Sequence, residues 1–379
     1  MMRSWEGINE RIDSGRVTVV TAEEMTEMSA SIGVAEAFRR VDVVTTGTFS
    51  PMCSSGVLLN TGHHSPRLNY RRAWLNGVPA YSGLAAVDLY VGATARRESG
   101  DRGEGGEYGG GHLIEDLVAG RQVRLTAEGH GTDCYPGRAV EKIIGLQELR
   151  DAFLVNPRNC YQNYNVAVNR SKERTVHTYM GPLLPDMRNA SYSSAGQLSP
   201  LMNDPEYRTI GIGSRVFLGG GIGYVSFRGT QHDPSVRRTE GGIPEGGAGT
   251  LFLTGDLKGM SREFLRGVRI PGYGVSLAVG VGTAIPLLDE EMARCASVSD
   301  REIPAPVVDY SGDYPEMNGR IVGTTDYAAL RSGEISLLNR RVRTVPLSSY
   351  PMARRIALKL RSMVEQGLFR LCRPSAPLE

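Results

Sequence analysis

The N-terminal part of the chain alternates short β-branched runs with a helical pattern of apolar positions. Residues 16–20 and 41–46 are rich in valine and threonine, which favours strands. Between them, Thr21 and Glu24 have the spacing of a capping box, and apolar side chains recur at helical spacing over Met25–Phe38. The pattern predicts a strand, a helix and a second strand, in that order.

Strand and helix patterns continue to alternate up to about residue 165. Apolar runs at residues 85–93 and 122–127 predict two further strands. The spacing of apolar positions predicts helices over residues 112–119 and 146–155, and the glycine-rich residues 99–111 predict a loop. This part of the chain is therefore typical of an alternating strand–helix arrangement.

The second half of the chain is richer in glycine and in strand patterns. Gly219–Gly223 joins two apolar runs without the spacing of a dinucleotide- or phosphate-binding loop, and so predicts close strand packing. Residues 349–371 predict a helix with Pro351 in its first turn and a solvated basic face. Together the two halves predict an α/β fold, with a mixed α+β fold as the alternative.

The length of the chain limits its domain organisation. Its 379 residues fit one large domain or two smaller lobes. We predict one domain over residues 1–340, divisible into lobes at about 1–165 and 166–340. Residues 341–379 are then a basic C-terminal helix and tail.

Charge and cysteine content exclude several classes of protein. The 43 basic and 41 acidic side chains nearly balance, which argues against a nucleic-acid partner. No apolar run is long enough to span a membrane, and the first residues lack the apolar core of a signal peptide. The five cysteines are odd in number and widely spaced, unlike a disulfide framework. We therefore expect a cytoplasmic protein with reduced thiols and no membrane partner.

Three of the cysteines lie in polar loops, where a thiol is available for chemistry. Cys53, Cys134 and Cys160 have proline and glycine, serine or asparagine beside them, whereas Cys295 and Cys372 have ordinary core or tail surroundings. The six histidines lack the compact spacing of a zinc site. The loop cysteines are therefore the leading candidates for chemistry.

The neighbours of these cysteines donate hydrogen bonds, carry charge or transfer protons. Ser54 and Ser55 follow Cys53 and offer hydrogen-bond donors, which favour the nucleophilic thiolate form of a cysteine. His130, four residues before Cys134, is a candidate for proton transfer. Asp133 directly precedes Cys134, and Arg158 lies two residues before Cys160.

The motifs around these loops resemble those of one known family, the homocysteine-biosynthesis (HcyBio) family. The resemblance extends over nearly the whole chain and rests on long motifs, so chance similarity is a poor explanation. The motifs are Thr21–Glu24, Val41–Gly56, Thr132–Pro136, Asn156–Gln162 and Gly219–Gly223.

Members of this family are L-aspartate semialdehyde sulfurtransferases of methanogens and other anaerobes. The resemblance implies an enzyme that makes homocysteine, the precursor of methionine, from aspartate semialdehyde and sulfide or carrier-bound sulfur. It implies that Cys53 and Cys134 are catalytic, because they match the two cysteines regarded as essential in the family. It also implies a small ferredoxin-like iron–sulfur protein as the electron donor. Many members carry C-terminal CBS domains, and we expect none here.

The implied reaction suggests how the two thiols would act. One of Cys53 and Cys134 holds the transferred sulfur as a persulfide and attacks the aldehyde carbon. The other thiol then resolves the linkage, which leaves a disulfide that external electrons reduce. Such an exchange requires the two Cα atoms to approach within roughly 7 Å in some state.

The implied substrate suggests roles for the neighbouring side chains. Its carboxylate suits Arg158, and its ammonium group suits Asp133. Ser54 and Ser55 are candidates for further hydrogen bonds to the substrate, and His130 is the candidate proton donor. His63 and His64 are further candidates for proton transfer.

Alternative interpretations of the same residues remain open. Cys53, Cys134 and Cys160 could together hold a 4Fe–4S cluster, with the fourth iron free to bind sulfide. The chain could also be an iron–sulfur or persulfide carrier that delivers sulfur to another catalyst. An enzyme acting on a different small aldehyde, or a glycine-rich ligand-binding domain, would account for part of the pattern.

Overall fold

Strands dominate the structure, a computed structural model that describes residues 2–98, 107–312 and 319–378. Within these residues there are twenty-four strands and eight α-helices, so the predicted mixed α/β class is confirmed. Residues 99–106 of the predicted glycine loop lie outside the described residues.

The strands are short and are distributed along the whole described chain. They are β1 (Val19–Thr21), β2 (Val43–Thr45), β3 (Thr48–Pro51), β4 (Gly56–Asn60), β5 (Tyr70–Leu75), β6 (Val78–Ala80), β7 (Asp88–Gly92), β8 (Val123–Gly129), β9 (Ala139–Ile144), β10 (Asp151–Asn159), β11 (Val166–Val168), β12 (Val176–Thr178), β13 (Gly181–Leu183), β14 (Asn189–Tyr192), β15 (Arg215–Leu218), β16 (Gly221–Arg228), β17 (Leu251–Asp256), β18 (Leu265–Ile270), β19 (Gly274–Gly282), β20 (Ala284–Pro286), β21 (Pro304–Asp309), β22 (Arg320–Asp326), β23 (Glu334–Leu337) and β24 (Arg340–Pro346).

The helices are mostly short and lie between the strands. They are α1 (Trp5–Asp13), α2 (Ala22–Ile32), α3 (Val34–Arg40), α4 (Gly110–Val118), α5 (Pro200–Asn203), α6 (Glu290–Cys295), α7 (Tyr327–Arg331) and α8 (Tyr350–Glu365). None of the helices in the described part of the chain is long and apolar enough to cross a membrane.

A nine-stranded antiparallel sheet forms the centre of the fold. Its strand order is β18-β19-β15-β16-β17-β10-β4-β7, and β3 pairs with β19 beside this path. Strands β4, β7 and β10 come from the first lobe of the prediction, and β15 to β19 come from the second. The two predicted lobes, residues 1–165 and 166–340, therefore share one sheet.

Smaller sheets surround the central one. A six-stranded sheet has the order β22-β21-β11-β14-β24-β23, and a four-stranded sheet has the order β6-β5-β8-β9. The other two sheets are β1-β2-β20 and the hairpin β12-β13. Apolar side chains of the four-stranded sheet, helix α4 and the central sheet belong to one buried core, which burial of apolar surface stabilises.

The predicted N-terminal strand–helix–strand order is confirmed. β1 and β2 pair in parallel, and the Thr21 hydroxyl accepts a hydrogen bond from the Glu24 N–H at 3.3 Å. The Glu24 carboxylate accepts one from the Thr21 N–H at 2.7 Å, which completes the capping box. The predicted helix is two helices, because Gly33 between them has a φ of +82°.

The helix predicted over residues 146–155 is wrong, because the second half of that segment belongs to strand β10. Only Leu146–Glu148 forms a short 3-10 turn. From Asp151 onward the side chains alternate between exposed and buried positions, with Ala152 and Leu154 pointing inward. β10 pairs with β17 on one side and β4 on the other, so tertiary pairing overrides the local helical spacing.

The C-terminal helix packs closely against the rest of the protein. Ile356 and Leu360 of α8 are fully buried in the same cluster as residues of α1. Arg354 and Arg361 pair with Glu23 and Glu24 of α2, so part of the predicted solvated basic face is occupied by ion pairs. The boundary predicted after residue 340 falls inside β24, and the division at that point stays a prediction.

Helix α4 approaches the central sheet at consecutive glycines. A Cβ atom on Gly110 would lie 1.9 Å from the carbonyl oxygen of Gly92 on β7. A Cβ atom on Gly111 would lie 2.0 Å from the carbonyl oxygen of Ser276 on β19. Only glycine permits this spacing, because the atoms in the way of a Cβ atom are backbone carbonyl oxygens. These atoms are fixed by the strand and cannot move aside as the end of a flexible side chain could.

We expect Gly111→Ala to destabilise the protein by about 1–3 kcal/mol, because the added methyl group forces α4 away from β19. The measurement is the midpoint of urea unfolding. Gly259→Ala is the control, since nothing lies within 4 Å of a Cβ atom at that position. Equal unfolding midpoints for the two variants would contradict the close packing described here.

Candidate active site

The turn that carries Cys53 is held by backbone hydrogen bonds. Cys53 lies between β3 and β4, where the Met52 N–H donates to the Leu277 carbonyl at 2.8 Å. The Ser55 N–H donates to the Met52 carbonyl at 3.0 Å, which closes the turn. The Ser276 hydroxyl donates to the half-buried Cys53 Sγ at 3.3 Å.

Strand pairing brings Arg158 to this turn. Val155 of β10 pairs with Gly56, the first residue of β4, so the end of β10 lies beside the Cys53 turn. Between Asn156 and Asn159 the pairing of β10 with β17 shifts in register. Such irregularities redirect side chains, and here Arg158 lines the same cavity as Cys53.

This cavity has a volume of about 210 Å³ and is lined mainly by polar and aromatic side chains. Cys53, Ser54 and Arg158 lie on its wall, and Ser193 and Gln231 contribute further polar groups. Four tyrosines complete much of the lining, namely Tyr161, Tyr164, Tyr179 and Tyr273. Among the described residues that form the wall there is no aspartate or glutamate.

The tyrosine hydroxyls form a hydrogen-bonded chain behind the cavity. The hydroxyls of Tyr164 and Tyr179 are 2.9 Å apart, and those of Tyr179 and Tyr310 are 3.1 Å apart. Burial raises the pKa of Tyr161 to about 12, against the opposing influence of Arg158. Burial also raises the pKa of Tyr179 well above its usual range. The hydroxyls of Tyr161 and Tyr179 therefore remain protonated at neutral pH and can donate hydrogen bonds.

The two serines that follow Cys53 have different positions. Ser54 lines the cavity, as expected for a residue that contacts a ligand. Ser55 is only 1% exposed and does not line it. By the register of β4 and β10 it faces Asn156, and in the described structure neither the Ser55 hydroxyl nor the Asn156 amide has a hydrogen-bond partner.

Cys160 is a core residue in this structure. It is 2% exposed and belongs to the main apolar cluster, and its backbone has a φ of +52°. Its N–H donates to the Asn159 side chain at 2.6 Å. Burial raises the pKa of the Cys160 thiol far above its usual range, which keeps it protonated and poorly nucleophilic.

The loop that carries Cys134 lies at the opposite end of β4 from Cys53. Cys134 is exposed between β8 and β9. The loop is anchored to the segment after β4, since the N–H groups of His130 and Gly137 donate to the carbonyls of Asn69 and Arg67. Strand β4 has five residues, a length of about 15 Å. The described arrangement therefore keeps Cys53 and Cys134 apart.

Several other candidate residues lie at the Cys134 end of the strand. His130 and Asp133 are exposed in the same loop, and the ring of His63 lies 6.1 Å from that of Tyr135. The His64 Nε2 atom is 2.5 Å from the Tyr70 hydroxyl, and burial lowers the pKa of His64. None of these side chains lines the cavity beside Cys53.

The three loop cysteines do not form a ligand set in this arrangement. Cys53 lies in the cavity, Cys134 lies on an exposed loop, and Cys160 lies in the apolar core. Over residues 2–98, 107–312 and 319–378, no group of three histidine, cysteine or acidic side chains could hold a metal ion. These positions do not fit a three-cysteine iron–sulfur cluster.

The sequence analysis missed the tyrosines and Ser276. Tyr161 follows Cys160 within a quoted motif, but Tyr164, Tyr179 and Tyr273 are spread along the chain. The one available signal was composition, because 16 tyrosines accompany only 8 phenylalanines and 2 tryptophans. Ser276 carried no signal, since it lies inside an apolar strand sequence.

Comparison with known proteins gives a consistent result. The chain is 46% identical to an L-aspartate semialdehyde sulfurtransferase of Methanocaldococcus jannaschii, over 98% of this chain and 72% of the relative. It is also 46% identical to the protein of the same name in Methanosarcina acetivorans, over 98% of this chain and 71% of the relative. No solved structure matches the chain significantly.

A family profile identifies the chain more generally. The profile described as homocysteine biosynthesis enzyme, sulfur-incorporation, matches residues 17–371. This range includes the Cys53 turn, Arg158, the four tyrosines of the cavity and the Cys134 loop. The match and the two relatives confirm the resemblance found in the motifs, and the chain belongs to the sulfur-incorporating homocysteine biosynthesis enzyme family.

Proposed function

We propose that the protein is a sulfurtransferase that incorporates sulfur into L-aspartate 4-semialdehyde to form L-homocysteine. One observation carries the proposal: Cys53 and Arg158 face one small cavity. A thiolate can attack an aldehyde carbon, and a guanidinium binds a carboxylate through two hydrogen bonds. Aspartate semialdehyde has an aldehyde at one end and a carboxylate at the other, so it matches this pair of groups.

The proposed chemistry begins with a persulfide on Cys53. Its terminal sulfur adds to the aldehyde carbon, which forms a C–S bond, and the carbonyl oxygen takes a proton. Two electrons and two protons then cleave the S–S bond and release Cys53 as a thiol. Loss of water gives a thioaldehyde, and a second pair of electrons and protons reduces it to homocysteine. The electrons come from an external low-potential donor, which we propose to be a small ferredoxin-like iron–sulfur protein.

We assign the carbonyl chemistry to Cys53 and the supply of sulfur to Cys134. Cys53 is half-buried beside Arg158, whereas Cys134 is exposed on a surface loop where a sulfur carrier can reach it. For the transfer, the Cys53 thiolate attacks the outer sulfur of a Cys134 persulfide and releases the Cys134 thiolate. This requires the two side chains to meet, through movement of the Cys134 loop or through a second copy of the chain. We further propose the cytoplasm as the location, because this chemistry requires reduced cysteines.

We expect Cys53→Ser to lower homocysteine formation by at least about a hundredfold, because a serine hydroxyl cannot carry a persulfide. The assay combines aspartate semialdehyde, polysulfide as the donor of sulfane sulfur and a low-potential reductant under anaerobic conditions, with product measured by mass spectrometry. Cys372→Ser is the matched control, since Cys372 is an exposed thiol in the tail. Complementation of a homocysteine-requiring strain gives the same comparison in cells.

Cys134→Ser separates the two thiol roles. We expect it to lose turnover with protein-bound persulfide sulfur and to retain turnover with free polysulfide, which can transfer sulfane sulfur to Cys53 directly. Loss with both sulfur sources would show instead that Cys134 acts inside the cavity. Full activity of Cys53→Ser would refute the thiol mechanism, and absence of homocysteine from the wild-type protein would favour a sulfur carrier.

We expect Arg158→Gln to raise the KM for aspartate semialdehyde by roughly ten- to a hundredfold, with a smaller change in kcat. The lost interaction is a charged hydrogen-bonded pair with the carboxylate, which forms on binding. Arg158→Lys should be intermediate, because an ammonium cannot make the two-pronged contact. Arg343→Gln, on the exposed side of β24, is the control. An unchanged KM for Arg158→Gln would exclude it as the carboxylate partner.

The cluster hypothesis has a separate test. We expect protein purified anaerobically to hold no stoichiometric iron or acid-labile sulfide, because Cys160 is enclosed in the apolar core. Cys160→Ala should accordingly retain the activity of the folded wild-type protein. Four irons per chain, lost in both Cys134→Ser and Cys160→Ala, would instead support the cluster.

A further inference from the structure

The described wall of the cavity beside Cys53 offers no acidic partner for the ammonium group of an amino acid. Arg158 supplies the positive charge that a carboxylate requires, but no aspartate or glutamate lies among the described residues of the wall. Asp133, the partner predicted from the sequence, lies on the exposed Cys134 loop. An ammonium group that enters the cavity needs some other stabilising contact, because desolvating it without one is costly.

Aromatic rings occupy the wall where that contact is needed. The rings of Tyr161 and Tyr164 are 4.8 Å apart at 68°, in an edge-to-face arrangement. Tyr179 continues the series, with its ring 6.4 Å from Tyr164 and 6.4 Å from Tyr273. An aromatic face carries partial negative charge, so a cation close to it is attracted electrostatically.

The positions of Arg158 and Cys53 indicate which rings the ammonium group meets. In an α-amino acid the carboxylate and the ammonium group are attached to the same carbon atom. With the carboxylate on Arg158 and the aldehyde toward Cys53, the ammonium group lies against the part of the wall close to these two residues. Tyr161, three residues after Arg158, and Tyr164, which packs against Tyr161, line the cavity together with both of them.

Hydrogen bonds hold this part of the wall in place. The Tyr164 hydroxyl is bonded to that of Tyr179, which is bonded in turn to that of buried Tyr310. Tyr161 packs edge-to-face against Tyr164 and is therefore supported by the same network. Rings fixed in this way form a preorganised surface, which lowers the entropic cost of binding a cation.

We propose that the rings of Tyr161 and Tyr164 bind the ammonium group of the substrate and thereby select an amino-acid aldehyde over the same aldehyde without nitrogen. The proposal rests on the proposed sulfur transfer to aspartate semialdehyde and specifies how its substrate is recognised. Arg158 binds the carboxylate, which the two aldehydes share, and the tyrosine pair distinguishes them.

The test compares kcat/KM for L-aspartate 4-semialdehyde with kcat/KM for 4-oxobutanoate, which lacks only the amino group. We expect Tyr161→Leu and Tyr164→Leu each to lower the ratio of kcat/KM for L-aspartate 4-semialdehyde to kcat/KM for 4-oxobutanoate by roughly ten- to thirtyfold, because the aromatic face is lost. Tyr161→Phe and Tyr164→Phe should keep most of the preference for L-aspartate 4-semialdehyde, because phenylalanine retains the ring. Tyr224→Leu, at an exposed position on β16, is the control. General damage to folding or to Arg158 lowers both rates and leaves the ratio unchanged.

A second series keeps the shape of the cavity constant. Phenylalanines with increasing fluorine content at position 161 withdraw charge from the ring face while filling the same space. The ratio should fall stepwise with each added fluorine. A ratio independent of fluorination, Leu variants with the wild-type ratio, or Phe variants that lose as much as Leu variants would each overturn the assignment to the ring faces.

These results are distinguishable from failure of the proposed function. If the wild-type protein forms no thiol from either aldehyde, sulfur transfer itself is wrong. If it forms homocysteine but converts 4-oxobutanoate with equal efficiency, sulfur transfer stands and ammonium recognition by the tyrosines is wrong.

Discussion

The register between β4 and β10 is the constraint on which the cavity depends. Pairing of Gly56 with Val155 places the turn before β4 beside the end of β10, and so brings Cys53 next to Arg158. A shift of one residue would turn the side chains at the end of β10 to the opposite face of the sheet. The buried apolar positions along β10 oppose such a shift, so the core itself specifies the position of the charged group.

The turn at Cys53 illustrates how a rigid scaffold supports a reactive side chain. Its backbone is bonded to β19 through Leu277, and Ser276 of the same strand reaches the sulfur. Helix α4 presses against β19 at Gly111, directly behind Ser276. The thiol is thus supported from elements far apart in the sequence, which is typical of groups held for chemistry.

Local sequence information was sufficient for some parts of the structure and not for others. The capping box at Thr21 and the parallel strands around it follow from short-range patterns, and the motifs identified Cys53 and Arg158 as candidates. Their proximity could not be predicted, because it results from long-range pairing of a strand that local spacing presented as a helix. Polar neighbours likewise suggested that Cys160 lies in an accessible loop, whereas the chain folds it into the core.

The tyrosines that line the cavity are a second feature that local sequence patterns did not predict. These four residues, Tyr161, Tyr164, Tyr179 and Tyr273, come from three separate segments and form a unit only in the folded structure. The neutral tyrosines leave Arg158 as the principal charge on the cavity wall. A wall with one positive charge and several neutral aromatic rings suits a ligand that places an anionic group on Arg158 and a weakly bound cation on the rings.

The separation of the two proposed thiols also bears on how the protein survives exposure to oxidants. Cysteines held at opposite ends of a strand do not close an internal bridge while the Cys134 loop keeps its described position. Air or peroxide would therefore modify the surface sulfur first, by reaction with small molecules or with another protein molecule. Cys53, which is half-buried, would stay reduced for longer. An oxidised Cys134 could then be reduced by thiol exchange at the surface, without unfolding of the cavity beside Cys53.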